Sequence, residues 1–271
     1  MSLAITEESY LNSSLSLRPP IRPDGRSQIT LRSLDAAVSI LPGTNGSARI
    51  RLGDGGECIV GVKVEVELVP RDSLNSAVEV DCDIVGVQSN SPLHSLLCST
   101  LQTWIQRTLP PSIITISHNY RYKIFVDGVI LDHVSHPLTL FSMTIYLALL
   151  DTRLPLLVSN TTEVNEGGLP LFSNDWHQSW YLCRDWTPPI VQLGVVVGKN
   201  IFVDATGEET EVSDGGVMVV WHSNRVKSFK VLNTRDVSKQ VFNMSIIAEA
   251  VDVLSESAKD IETALKSVVG S

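Results

Sequence analysis

Two stretches of β-type sequence, each followed by a run with helical spacing, restrict this chain more than any other feature. From Ala36 to Val85 the signal is β. Gly46-Ser47-Ala48-Arg49-Ile50-Arg51-Leu52 alternates small or apolar residues with polar ones, Asp54-Gly55-Gly56 reads as a hairpin turn, and Cys58 to Val66 is rich in β-branched residues. Residues 92–107 then place Leu93, Leu96, Leu97, Leu101, Trp104 and Ile105 at helical spacing. Ile113–Ile116 and Tyr122–Leu131 read as strands, and Pro137 suits the first turn of a helix ending near Leu150. The second block runs through Ile190–Val197, a Gly198-Lys199-Asn200 turn, Ile201–Asp204, Val217–Trp221 and Val226–Leu232. After it, apolar residues recur every three or four positions from Val237 and Val241 through Leu254 and Ile261 to Val268, an amphipathic stripe expected to flank a mixed sheet. Two β–α units in series predict an α+β fold.

The flanks have a different character. Residues 1–16 read as a short helix with Ile5, Leu11 and Leu15 apolar. A basic arm follows, with Arg18, Arg22, Arg26 and Arg32 against Asp24, and Pro19, Pro20 and Pro23 keep it out of helix. Residues 158–185 are polar and loop-like. The expected division is therefore 1–30 for the helix and arm, 31–157 for a first sub-domain, 158–185 for a connecting loop and 186–271 for a second sub-domain.

Composition, at 43% hydrophobic and 19% charged residues, is that of a soluble globular chain. The apolar run Val134–Leu150 is too short and too polar to span a bilayer, and Glu7 and Glu8 stand where a secretory signal would need basic residues, so no membrane segment or signal is expected. A net charge of −9 argues against a protein that grips nucleic acid tightly by itself. The four cysteines, Cys58, Cys82, Cys98 and Cys183, include no CxxC pair; reduced thiols are expected, with neither disulfide nor zinc site.

Several chemical readings compete with plainer ones. His133 and His136 have a metal-ligand spacing, with His118 expected on a neighbouring strand, yet no third ligand completes a pattern, and a loop-and-cap role is favoured. Asp204, Glu208 and Glu209 suit a solvated hairpin better than an acid–base pair, since nothing nearby in sequence is apolar enough to raise a pKa. Gly53-Asp54-Gly55-Gly56 precedes a strand instead of a helix and is a turn, not a phosphate cradle. Trp176, Trp180 and Trp186 are expected to pack the sub-domain junction or a partner ahead of stacking on bases.

The Arg22-Pro23-Asp24-Gly25-Arg26 run resembles the opening signature of the RNase PH family. It is followed in family-like order by Gly46-Ser47-Ala48, Gly53-Asp54-Gly55-Gly56-Glu57-Cys58, Lys123-Ile124-Phe125-Val126-Asp127 and Ala148-Leu149-Leu150-Asp151-Thr152-Arg153. Ile201-Phe202-Val203-Asp204-Ala205-Thr206-Gly207-Glu208-Glu209 completes the series, with Ala205 where proline is usual. The resemblance covers about Pro20 to about Leu254 and is strongest to the non-catalytic branch of RNA exosome ring subunits. It implies an RNase PH-like fold in a six-membered ring around an RNA channel, with RNA-binding cap subunits as further partners. It also implies RNA processing in nucleus, nucleolus and cytoplasm, with no cofactor and no small-molecule substrate.

In active relatives, as the resemblance implies, a Gly-Thr-Arg turn holds phosphate at the start of the helix after the Asp127 strand. Here His136-Pro137-Leu138 takes its place, and no Lys or Arg occurs from Ile124 to Thr152. The catalytic aspartate position is set at Thr187, with Asp185 the nearby carboxylate. Phosphorolysis must neutralise two anions at once, so a silent subunit is expected. Arg107, at a helix end, is the RNA-channel candidate; Arg22, Asp24 and Arg26 are interface candidates.

Overall fold

The alternation from Leu34 to Ile84 builds one side of a sheet whose last partner comes from beyond the first long helix. The computed structural model describes residues 3–69, 76–89, 91–133, 135–159, 168–233 and 243–269. Val134, Val237 and Val241 of the expected apolar runs lie outside the described residues. Strands β1 (Leu34–Val38), β2 (Gly46–Leu52), β3 (Glu57–Leu68), β4 (Val78–Ile84) and β5 (Tyr120–Asp132) form one sheet in the order β1-β2-β3-β5-β4. All its neighbours are antiparallel except β4 and β5. A parallel pair needs a crossover, and α2 (Pro92–Thr108) supplies it. Ser91 starts α2 by accepting the His94 N–H at 3.1 Å on its hydroxyl, with Pro92 in the first turn. The buried residues of β4, namely Val78, Val80, Cys82 and Ile84, share one core with Leu97, Leu101 and Ile105 of α2.

Of Ile113–Ile116, expected as a strand, Ile113 and Ile114 instead end a single helical turn, α3 (Pro111–Ile114), and Thr115 makes only an isolated β-bridge to Arg121. Pro111 fixes a helical φ at the first position, a local signal that outweighs a short apolar run.

The second sheet holds β8 (Ile190–Val197), β9 (Asn200–Val203), β10 (Gly215–His222) and β11 (Arg225–Asn233) in the antiparallel order β11-β10-β8-β9, with the short α5 (Gly207–Glu211) between β9 and β10. The last helix, α6 (Met244–Val269), turns Ala250, Leu254, Ala258, Ile261 and Leu265 inward. Leu254 shares a core with Val196 and Val217 of the sheet, so the stripe flanks a sheet as expected. Every residue of β10 is buried, so the two apolar faces of Val217–Trp221 are covered within the chain.

Helix α4 (Leu138–Asp151) joins the halves. It is buried almost throughout, as an all-round apolar helix must be. On one side Phe141 presses on Gly128 of β5, where an added Cβ would stand 2.3 Å from the ring. On the other, β9 pairs with β8 only as far as Gly194, which leaves backbone N–H groups of β8 without a strand partner. Ser142 and Thr139 accept them, from Val191 at 2.8 Å and from Leu193 at 3.1 Å.

Residues 158–185 are not wholly loop. Strand β7 (Ser179–Tyr181) pairs with β6 (Arg153–Pro155), and Leu157 bridges Phe172. Helix α1 (Ile5–Leu15) buries Leu11 and Leu15 beside Val195, Val197 and Phe202, whereas Ile5, expected on its apolar face, is 86% exposed. Among the described residues no helix is long and apolar enough to cross a membrane.

Candidate functional site

The two runs that opened and closed the sequence pattern meet in space. Arg22 grips Glu209 with two hydrogen bonds, Nε to Oε1 at 2.7 Å and Nη2 to Oε2 at 2.8 Å, and its remaining donors reach the carbonyls of Ser27, Val203 and Asp204. Both side chains are wholly buried, and the guanidinium lies over the Phe202 ring. Glu209 also accepts the Thr206 N–H at 2.9 Å while Thr206 accepts the Glu209 N–H, a capping box that starts α5. The expected solvated hairpin is therefore corrected at Glu209, which is buried and paired with Arg22, while Glu208 is exposed as expected.

Arg26 bonds Asp24 at 2.7 Å and Asp204 at 3.0 Å, and Arg32 takes the other side of Asp204 and reaches Asp54. Burial pushes the Asp204 carboxyl up, but the hydrogen bonds and charges of Arg32 and then Arg26 outweigh it and hold the group below the ordinary aspartate value. Arg22, Arg26 and Arg32 are thus spent inside the chain. Arg22 has no surface that a partner can touch and Arg26 has little, whereas Arg18 and Asp24 are exposed. The arm also shows apolar side chains to solvent: Ile21 and Ile29 are each 60% exposed.

The turn at which the sequence resemblance implied a phosphate site opens α4. Leu138 there is fully buried, and the turn before it is closed by His136, whose Nδ1 accepts the Leu138 N–H at 3.3 Å. Burial, and then the nearby His133, push the His136 pKa down, so this imidazole is neutral at neutral pH. Arg32, Ser135, Thr139, Leu193 and Asp204 line a cavity of about 20 Å³ beside it, room for one water and too little for a phosphate. Arg32 is the one cation in that lining, and Asp204 and Asp54 neutralise it.

Thr187 lies in the stretch between Cys183, whose thiol donates to the Leu149 carbonyl at the far end of α4, and β8, whose Val191 and Leu193 N–H groups bond Ser142 and Thr139 nearer its start.

The other candidates are dispersed. His118 lies in the turn before β5 and His133 just after its end, so a thirteen-residue strand about 40 Å long separates them. Trp186 is buried in the main core and Trp180 packs against it, while Trp176 is half exposed. Arg107 is exposed on the last turn of α2 with its guanidinium over the Trp104 ring, 5.3 Å from the centroid. Sequence reasoning missed the convergence of Arg22, Arg26 and Arg32 on Glu209 and Asp204. Both runs were visible as motifs, and only their pairing was hidden.

Comparison with known proteins places this geometry. A model of the 3′ exoribonuclease family, domain 1 (RNase PH), matches residues 30–155. The chain is 32% identical to exosome complex component RRP42 of Saccharomyces cerevisiae, over 99% of this chain and 100% of the relative. It is 31% identical to the Schizosaccharomyces pombe component rrp42 over 79% of this chain and 76% of that one. Two solved structures, an archaeal exosome core and an Archaeoglobus fulgidus exosome with RNA bound to the active site, superpose with TM-scores of 0.72 at 19% and 20% identity. Each covers 96% of this chain, and 96% and 97% of the solved chains respectively.

Proposed function

We propose, for a chain that belongs to the RNase PH family and within it to the RRP42-type exosome components, the work of a ring subunit that shapes an RNA channel and cuts nothing itself. The observation that carries the silent role is the start of α4. Its single lining cation, Arg32, is cancelled by two carboxylates, and the cavity beside it holds no more than a water. Phosphorolysis needs uncompensated positive charge facing phosphate, and this place offers none.

Ring and cap subunits and RNA are then the partners, and nucleus, nucleolus and cytoplasm the compartments. The arm acts at an interface through its shape: Arg22, Asp24 and Arg26 fix its path, and Ile21 and Ile29 are what a neighbour covers. Purified chain incubated with single-stranded RNA, magnesium and phosphate is expected to release no nucleoside diphosphate. Release that persists through further purification overturns the reading.

Arg107 serves the channel in this reading. It is exposed, held by Trp104, and has no ion pair among the described residues, so its charge is free for phosphate. Replacing Arg107 by Glu is expected to weaken RNA retention by the assembled ring several-fold at low salt, with an unchanged melting temperature. Unaltered retention in filter binding places Arg107 off the RNA path.

A further inference from the structure

Strand β4 and helix α2 bring together three metal-ligating side chains that are scattered in sequence. Cys82 Sγ lies 3.5 Å from Cys98 Sγ, and Cys98 Sγ lies 3.8 Å from His94 Nε2. All three ligand atoms fall within 4.8 Å of one another, the one such His, Cys or acidic group of three among the described residues. Local structure explains the meeting. His94 and Cys98 are four residues apart on α2 and so share a face. Cys82 is one of the inward residues of β4, the strand against which α2 packs. Asp81 Oδ1 lies 3.2 Å from His94 Nε2 but outside this group, accepting the Cys82 N–H at 3.0 Å on a side chain otherwise open to solvent.

We infer that Cys82, His94 and Cys98 bind a zinc ion. A tetrahedral ion with Zn–S of about 2.3 Å and Zn–N of about 2.0–2.1 Å sets S···S near ~3.8 Å and S···N near ~3.6 Å. The observed 3.5 and 3.8 Å lie within a few tenths of an ångström of those edges. Two thiols and an imidazole suit zinc, whereas magnesium and calcium take oxygen ligands alone. The two thiols lose their protons to solvent when the ion binds. Three protein ligands leave the fourth tetrahedral position to water or a further ligand. The ion ties β4, which ends its sheet, to the helix over it. The absence of a CxxC pair hid this in the sequence, because one thiol comes from a strand and the other two ligands from successive turns of a helix.

The site is independent of the exosome reading, and so is its test. Full-length chain, alone or with whichever partner keeps it soluble, is purified without chelator, and zinc is measured by plasma mass spectrometry beside Cys98→Ser and His94→Ala. Wild type is expected to carry about one zinc more per chain than either variant, and to lose several degrees of melting temperature on chelation, regained with zinc and not with magnesium. Should the variants fail to fold, cobalt(II) added to metal-stripped wild type is expected to give thiolate-to-cobalt absorption. Equal zinc in wild type and folded variants, or no thiolate–cobalt band, overturns the proposal. So does an unreduced wild-type chain lighter by two hydrogens, which would mark Cys82 and Cys98 as a disulfide.

Discussion

Arg22 and Glu209 are 187 residues apart, and each was visible beforehand as part of a motif; their pairing was not. Local sequence reports propensity and periodicity, but nothing near Glu209 announces that a guanidinium arrives from the other end of the chain. The same blindness made Glu209 read as solvated, since the guanidinium that buries and binds it comes from the arm. Asp204 gives a test of what these charges contribute. Its carboxyl is held below the ordinary aspartate value by Arg32 and Arg26, against the opposing push of burial. A depressed folded pKa means stability that is present above the unfolded value of about 3.9 and lost as pH falls through the lower folded value. Replacing Asp204 by Asn leaves two partly buried arginines facing a neutral group with only Asp24 and Asp54 as remaining carboxylate partners, a loss of about 1–3 kcal/mol for lost charge-assisted hydrogen bonds. The gap in thermal stability between wild type and Asp204→Asn is expected to be full at about pH 7 and about pH 5, and to close only below about pH 4. A gap that shrinks between about pH 7 and about pH 5 would show that some other group, not Asp204, is titrating.

At the scale of elements the sequence was far more informative, because strands and helices write their period locally. The β5 pattern, the α2 spacing and the inward stripe of α6 were all readable, down to Leu254 and Ile261. Failures occurred where an element was too short to show a period, as at α3 and β7. How tightly elements approach was also hidden, and Gly128 is the clearest case. Its Cα faces the fully buried Phe141 of α4, and a methyl group there would sit 2.3 Å from Cε2 and 3.0 Å from Cζ. Neither the ring nor the strand has room to yield, so Gly128→Ala is expected to cost about 1–3 kcal/mol as an overpacked core. Phe141→Leu made alongside should recover part of that cost, which thermal melts of the two single variants and the double variant will read as non-additivity. Strictly additive losses would mean that the methyl group strikes something other than Phe141.

For the whole molecule, the question is where its unmatched apolar surface goes. The two-faced strand Val217–Trp221 cannot supply an interface, being covered inside the chain. The surplus lies elsewhere, around the β6–β7 ribbon and on the arm. Leu156, Val158, Leu169, Leu171 and Trp176 are between 50% and 71% exposed, and Ile21 and Ile29 stand out at 60%. Soluble monomers seldom leave such groupings uncovered. A ring subunit must cover them, and it meets its two neighbours through two different faces, a heterologous contact that closes only when the set is complete. Permanent contacts of that kind bury roughly 2,000 Å² or more and are apolar. Production of this chain alone is therefore expected to give low yield or mixed aggregates, and co-production with an RNase PH-like partner a soluble one-to-one complex. Changing Leu169 and Leu171 together to Ser should improve the behaviour of the lone chain while weakening the complex, because the same surface governs both. Light scattering at micromolar concentration separates the outcomes, and a lone chain that is monomeric and thermally stable would remove the argument for obligate assembly.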